Sequence, residues 1–130
     1  MSTTTRLRLR RKIEKLKHEV LTIGTQVEEH VRMAVKAMKL NDSRMAARVI
    51  DSDAEIDRME VDLEEECLEI LALHQPVAVD LRFIIGVLKI NQDLERIGDL
   101  AVNIAETAVF LASQPKLDIP EDYYVMAVKT

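Results

Sequence analysis

Glu95 and Asp99 stand four residues apart in the run Lys89-Ile90-Asn91-Gln92-Asp93-Leu94-Glu95-Arg96-Ile97-Gly98-Asp99. On a helix that spacing stacks two carboxylates one turn apart, where they repel by a few tenths of a kcal/mol unless a cation sits between them. Hard cations prefer such oxygen ligands, and Asn91 and Asn103 continue the stripe by one turn in each direction. Metal binding is therefore the chemistry this stretch offers. The competing reading is a solvated helix face, with Arg96 bridging Asp93 or Asp99 at three residues' distance; an acidic pair at this spacing is common, so spacing alone does not decide between them.

The element that must position the stripe is a long helix. Val87, Ile90, Leu94, Ile97, Ala101, Ile104, Ala108 and Leu111 alternate spacings of three and four. They predict a buried seam with Asn91, Glu95, Asp99 and Asn103 drifting across the far side. Two further helices precede it. Leu9, Ile13, Leu16, Val20, Ile23, Val27, Ala34 and Ala37 predict a first helix from near Arg6 to about Leu40, with His30 and Val31 competing for the one gap in its seam. Asn41-Asp42-Ser43 then forms a turn and supplies an N-cap. A second helix follows to about Leu73, with Val49, Ile56, Leu63 and Ile70 spaced by seven.

Both corners are short, which requires antiparallel packing. The second, at His74-Gln75-Pro76, places proline in the first turn of the third helix and levels Asp51, Asp53 and Glu55 with Glu95 to Asp99. The first levels His30 with Asp53, which occupies a seam slot between Val49 and Ile56. A buried His30–Asp53 hydrogen bond is the expected partnership there, with Asp53 as a metal ligand the other reading. The same count sets Lys12 to Lys17 beside Glu66 to Leu71. The basic opening of the chain (Arg6, Arg8, Arg10, Arg11, Lys12, Lys15, Lys17) then reads as intramolecular charge matching to the second helix, with a docking surface as the alternative. The fold class is all-α: an antiparallel up-down-up three-helix bundle over residues 1–113. A loop at 114–120 and the start of a fourth helix at 121–130 follow.

Composition narrows the function classes. Three Gly and three Pro in 130 residues are too few for a sandwich or barrel, and a net charge of −5 lacks the basic field of a general nucleic-acid or anionic-membrane binder. A single cysteine, Cys67, permits no internal disulfide and reads as a small core residue, which fits a reducing cytoplasm. No apolar run approaches the roughly 20 residues that cross a bilayer, and the basic start is not followed by a hydrophobic stretch as a secretory signal would be. No Gly-rich phosphate loop, no Ser or Cys nucleophile with a base, and no Glu-x-x-His pair is present, so no enzyme class is indicated.

Asp80-Leu81-Arg82, Lys89-Ile90 and Asp93-Leu94-Glu95-Arg96-Ile97-Gly98-Asp99 with Asn103-Ile104 resemble the PhoU family of phosphate-uptake regulators. Val49-Ile50 with Asp53 and Asp57, Met59-Glu60, Gln75-Pro76, and Val27-Glu28 with Ala34 add to the match, which runs from about residue 14 onward. The resemblance implies a helical bundle of two similar three-helix repeats, each with an acidic E(D)xxxD motif on its third helix that binds metal. Here that motif is Glu95 to Asp99, and the chain corresponds to the first repeat plus the opening of the second. Glu95, Asp99, Asn103 and Asp53 are the candidate ligands, for iron, zinc, manganese or magnesium. The resemblance further implies a cytoplasmic, non-enzymatic negative regulator, an expected homodimer. It would act on the phosphate ABC transporter ATPase and the phosphate-sensing histidine kinase, and meet the membrane only through those partners. A metal-storing bundle and a metal-independent helical oligomerisation module are the other classes the residues allow.

Overall fold

The computed structural model describes residues 3–114. Three helices make up the bundle: α1 (Thr3–Leu40), α2 (Ser43–His74) and α3 (Ala78–Ser113), each packed against the other two. The expected loop and fourth-helix start at 115–130 lie outside the described residues.

Asn41 adopts the left-handed conformation (φ 55°) that ends α1, with Asp42 N–H donating to Ala37 O (2.9 Å) and Asn41 N–H to Met38 O (3.4 Å). This pairing satisfies two carbonyls of the last turn. Asp42 then caps α2, its side chain accepting from Met45 N–H at 3.1 Å, so a single residue closes one helix and opens the next. At the other corner Gln75 is left-handed (φ 45°, ψ 56°). Pro76 is buried just ahead of α3 rather than within its first turn, because the N-cap is Val77 and the helix begins at Ala78.

The expected seams of α1 and α2 are buried, apart from Val20, which is only partly so. Leu9, Ile13, Leu16, Ile23, Val27, Ala34 and Ala37 face inward from α1, and Val49, Ile56, Leu63 and Ile70 from α2. His30, rather than Val31, fills most of the gap in the α1 seam. The seam of α3 requires correction. Its inner face is Ile84, Val87, Asn91, Gly98, Ala101, Ala105 and Ala108, whereas Ile90 and Ile97 are 49% and 42% exposed. The interior near Ala101 is lined by alanines from all three helices, with Ile104 only partly buried against them, and Ile90 and Ile97 are turned to the flank. Asn91 is accordingly inside and not on the far side.

The core divides in two. Large aliphatic residues, among them Leu16, Ile23, Leu63 and Ile84, fill the end near the α2–α3 corner. An alanine-rich cluster (Ala34, Ala37, Ala46, Ala101, Ala105, Ala108, with Val49) fills the end near the α1–α2 turn. Between Val27 and Ala34 on α1, and between Val49 and Ile56 on α2, the boundary carries His30, Ser52 and Asp53. Of the three buried polar residues among those described, His30 lies at this break, and Glu60 and Asn91 lie within the adjoining aliphatic end, flanked by Ile56 and Leu63 and by Val87 and Leu94.

Candidate metal centre

Asp53 is partly buried at the α2–α3 boundary, where Asp57, one turn further along α2, and Asp99 of α3 meet it. One carboxylate oxygen from each of the three lies within 4.8 Å of the others. The antiparallel count that levels Asp53 with the Glu95–Asp99 turn accounts for the meeting. Gly98 packs beside the group: a Cβ added there would meet Asp53 Oδ1 at 3.9 Å, an ordinary contact, so the carboxylate does not depend on glycine for its space.

Stepping by four residues advances the wheel by about 40°, so the α3 stripe slides from interior to solvent along its length. Asn91 is at the inner end, its Nδ2 donating to the Glu60 backbone carbonyl at 2.9 Å. Asp99 reaches the α2 boundary. Glu95 is exposed but close enough for its charge to act on Glu60. Asn103 is exposed and stands outside the three-carboxylate group, with its backbone carbonyl accepting from Thr107 Oγ1.

Two residues matter more than their sequence context indicated. Asp57 completes the carboxylate group; the available signal was its four-residue spacing from Asp53, the same spacing that drew attention to Glu95 and Asp99. Glu60 is 5% exposed, and its Oε2 has no hydrogen-bond partner. Burial, followed by the charges of Asp57, Glu95, Asp53 and Asp99, raises its carboxyl from 4.5 to about 7. Asp53 is raised for the same first reason, desolvation, then by Asp57 and Asp99. Asp53 and Glu60 are thus the two carboxyls of the cluster that burial and the surrounding negative charge hold back from ionising.

His30 does not bond Asp53. Its Nε2 lies 3.0 Å from Ser52 Oγ, because Asp53 points across to α3 while its neighbour Ser52 faces α1. The Ser52 hydroxyl donates to Arg48 O at 2.6 Å, which leaves its oxygen to accept from an Nε2–H tautomer of His30. The His30 pKa is lowered from 6.5, desolvation outweighing the nearby Glu29. Elsewhere the expected charge matching is present: Lys15 reaches Glu66 at 3.1 Å, Lys12 reaches Glu69 at 4.0 Å, and Arg96 lies 3.8 Å from Asp93. Cys67 is fully buried, and burial pushes its thiol up to about 11, the behaviour of an inert core residue.

By fold and site this is a three-helix bundle that gathers carboxylates from its second and third helices at a break in its core. The chain belongs to the PhoU family: the family model described as PhoU domain matches residues 20–108. It is 42% identical over 111 residues to a phosphate-specific transport system accessory protein PhoU homolog of Aquifex aeolicus, covering 85% of this chain and 50% of that protein. The corresponding Escherichia coli (strain K12) accessory protein is 41% identical over 102 residues, covering 78% and 42%. The crystal structure of PhoU from Pseudomonas aeruginosa superposes with a TM-score of 0.84 at 38% identity, covering 92% of this chain and 56% of that one. The chain spans about half the length of the curated relatives it matches.

Proposed function

We propose that the chain serves as a non-enzymatic accessory regulator of phosphate uptake, with a metal ion held at Asp53, Asp57 and Asp99. The observation that carries the metal part is the convergence of three carboxylates from two helices within 4.8 Å, beside a buried Glu60 oxygen without a partner. The donor set fits a hard cation: all oxygens, with no imidazole or thiolate, favouring magnesium, manganese or ferric iron over zinc. Glu95 stands close enough to add charge to the site, and Asn103 is the weakest of the candidates. A bound cation would neutralise the repulsion and fix α2 against α3, presenting one defined surface.

The regulatory part rests on the family and on what its named members do: an accessory role in phosphate transport, carried to this chain as an adaptor that engages the transporter ATPase and the sensor histidine kinase in the cytoplasm. The flank of α3 supports a homodimer. Phe83, Ile90, Ile97, Ile104 and Leu111 recur every seven residues along it, and Ile90 and Ile97 remain substantially exposed.

Elemental analysis of protein purified without chelator, beside Asp53→Asn/Asp99→Asn checked for folding by circular dichroism, tests the metal. Bound metal that disappears in the folded variant is the expected result; a wild type that stays empty after reconstitution overturns this part. Expression in a bacterium deleted for its own accessory regulator tests the rest. A phosphate-starvation reporter should be repressed at high phosphate, and a reporter that stays on while the chain is folded and present overturns the regulatory reading.

A further inference from the structure

The basic opening of α1 divides into two halves that the sequence does not distinguish. Its lysines are matched: Lys12 to Glu69, Lys15 to Glu66 and Glu19, Lys17 to Glu14. Among the described residues Arg6, Arg8, Arg10 and Arg11 form no ion pair. The reason is register. The ten carboxylates of α2 between Asp51 and Glu69 end before the level of these arginines, and α2 finishes in Ile70, Leu71, Ala72, Leu73 and His74, with no further acid. Uncompensated positive charge therefore projects past the acidic face, over an apolar end of the bundle.

Beside it lies a cleft of about 750 Å³ between the first turns of α1 and the α2–α3 corner. Leu7, Ile13, Pro76 and Val77 give it apolar walls, and Arg6 and Arg10 stand along one side. Leu7 and Val77 are 53% and 77% exposed. Lys17 also borders the cleft but is occupied by Glu14 and by the ring of Phe83, 5.4 Å away. Glu14 and Asp80 are the carboxylates of the lining; Glu14 is held by Lys17 at 3.1 Å, so Arg6 and Arg10 stand against Asp80 and the cleft keeps an excess of positive charge, three cations to two anions.

We infer that this cleft is a docking site for an acidic amphipathic segment of a partner protein, its apolar side chains seated between Leu7 and Val77 and its carboxylates held by Arg6 and Arg10. Arginine is suited to this role because its planar guanidinium binds carboxylate bidentately and also lies against apolar surface. A small free anion would gain nothing from the apolar walls. A bilayer would press on convex surface rather than enter a concavity, and the strongly acidic α2 would oppose approach to anionic lipid. The inference rests on the adaptor reading and gives that adaptor a contact surface remote from the carboxylate cluster.

The test uses a fluorescein-labelled amphipathic helical peptide of about 15 residues, Glu and Asp along one face and Leu along the other, followed by fluorescence anisotropy. Arg6→Glu/Arg10→Glu is compared with Arg8→Glu/Arg11→Glu, which changes the net charge equally but lies outside the cleft lining. The first variant should weaken binding at least about tenfold and the second less than about threefold, with Val77→Ser weakening it as well. Equal losses in the two variants, or equal binding of a sequence-scrambled peptide, would mean a diffuse field and overturn the docking site. So would phosphatidylglycerol vesicles, or inorganic phosphate alone, binding through Arg6 and Arg10 where the peptide does not. The reporter assay above separates the two claims: a reporter repressed at high phosphate with no peptide binding removes the cleft alone, and peptide binding in the cleft with a reporter that stays on removes the regulatory reading alone.

Discussion

Glu60 and His30 are both buried, and they push stability in opposite directions as pH changes. The folded-state carboxyl of Glu60 is raised from 4.5 to about 7, so between those values the folded protein keeps a proton that the unfolded chain has released. Stability of the metal-free protein therefore falls as pH rises through that window, by about 1–2 kcal/mol once solvent screening of the cluster is allowed for. Glu60→Gln removes the effect: in urea titrations with chelator, the variant should be more stable than wild type near about pH 8 and nearly equal near about pH 5. His30 has the reverse sign. Its lowered folded pKa means the unfolded chain protonates first, so its contribution is lost as pH falls below 6.5, and its imidazole resonances should titrate below that value by NMR. Asp99→Asn relieves repulsion with Asp53 and Asp57, and should stabilise the chelated protein by about 0.5–1 kcal/mol while abolishing any metal-dependent rise in Tm.

At the scale of the helix, α3 shows where reading the sequence succeeds and where it stops. The existence, length and antiparallel order of all three helices follow from periodicity and short corners, and the same counting levelled Asp53 with Asp99 before any contact was known. The rotation of α3 did not follow, because the wheel assigns the largest apolar residues to the interior. Here the interior is lined by Gly98, Ala101, Ala105 and Ala108, and Ile90 and Ile97 turn outward. An error of that rotation also put Asn91 outside. The His30 partner was missed by one residue for a related reason: levelling gives height along the bundle, and only side-chain direction separates Ser52 from Asp53. The corrected rotation predicts an inversion of the usual size rule. Ala105→Leu overpacks the alanine-rich core and should cost about 1–3 kcal/mol, whereas Ile90→Gln should change monomer stability by no more than about 0.5 kcal/mol in chemical denaturation.

For the whole molecule, the charge and apolar surface are distributed along its length in a definite order. Free arginines and the cleft occupy one end, the carboxylate cluster the middle, and the isoleucine flank of α3 runs past both. A second copy seated on that flank would bury Ile90, Ile97 and Ile104 at seven-residue intervals, and none of the three lines the cleft, so self-association and partner docking need not compete. Ile90→Asp/Ile97→Asp places two charges on the flank while leaving the inner face of α3 untouched. Light scattering coupled to size exclusion should then report a dimer for the wild type and a monomer for the variant, with helical content unchanged by circular dichroism. The acidic peptide should bind that monomer with wild-type affinity. Concurrent loss of peptide binding would mean that the cleft is completed by the second copy and that the two surfaces act as one.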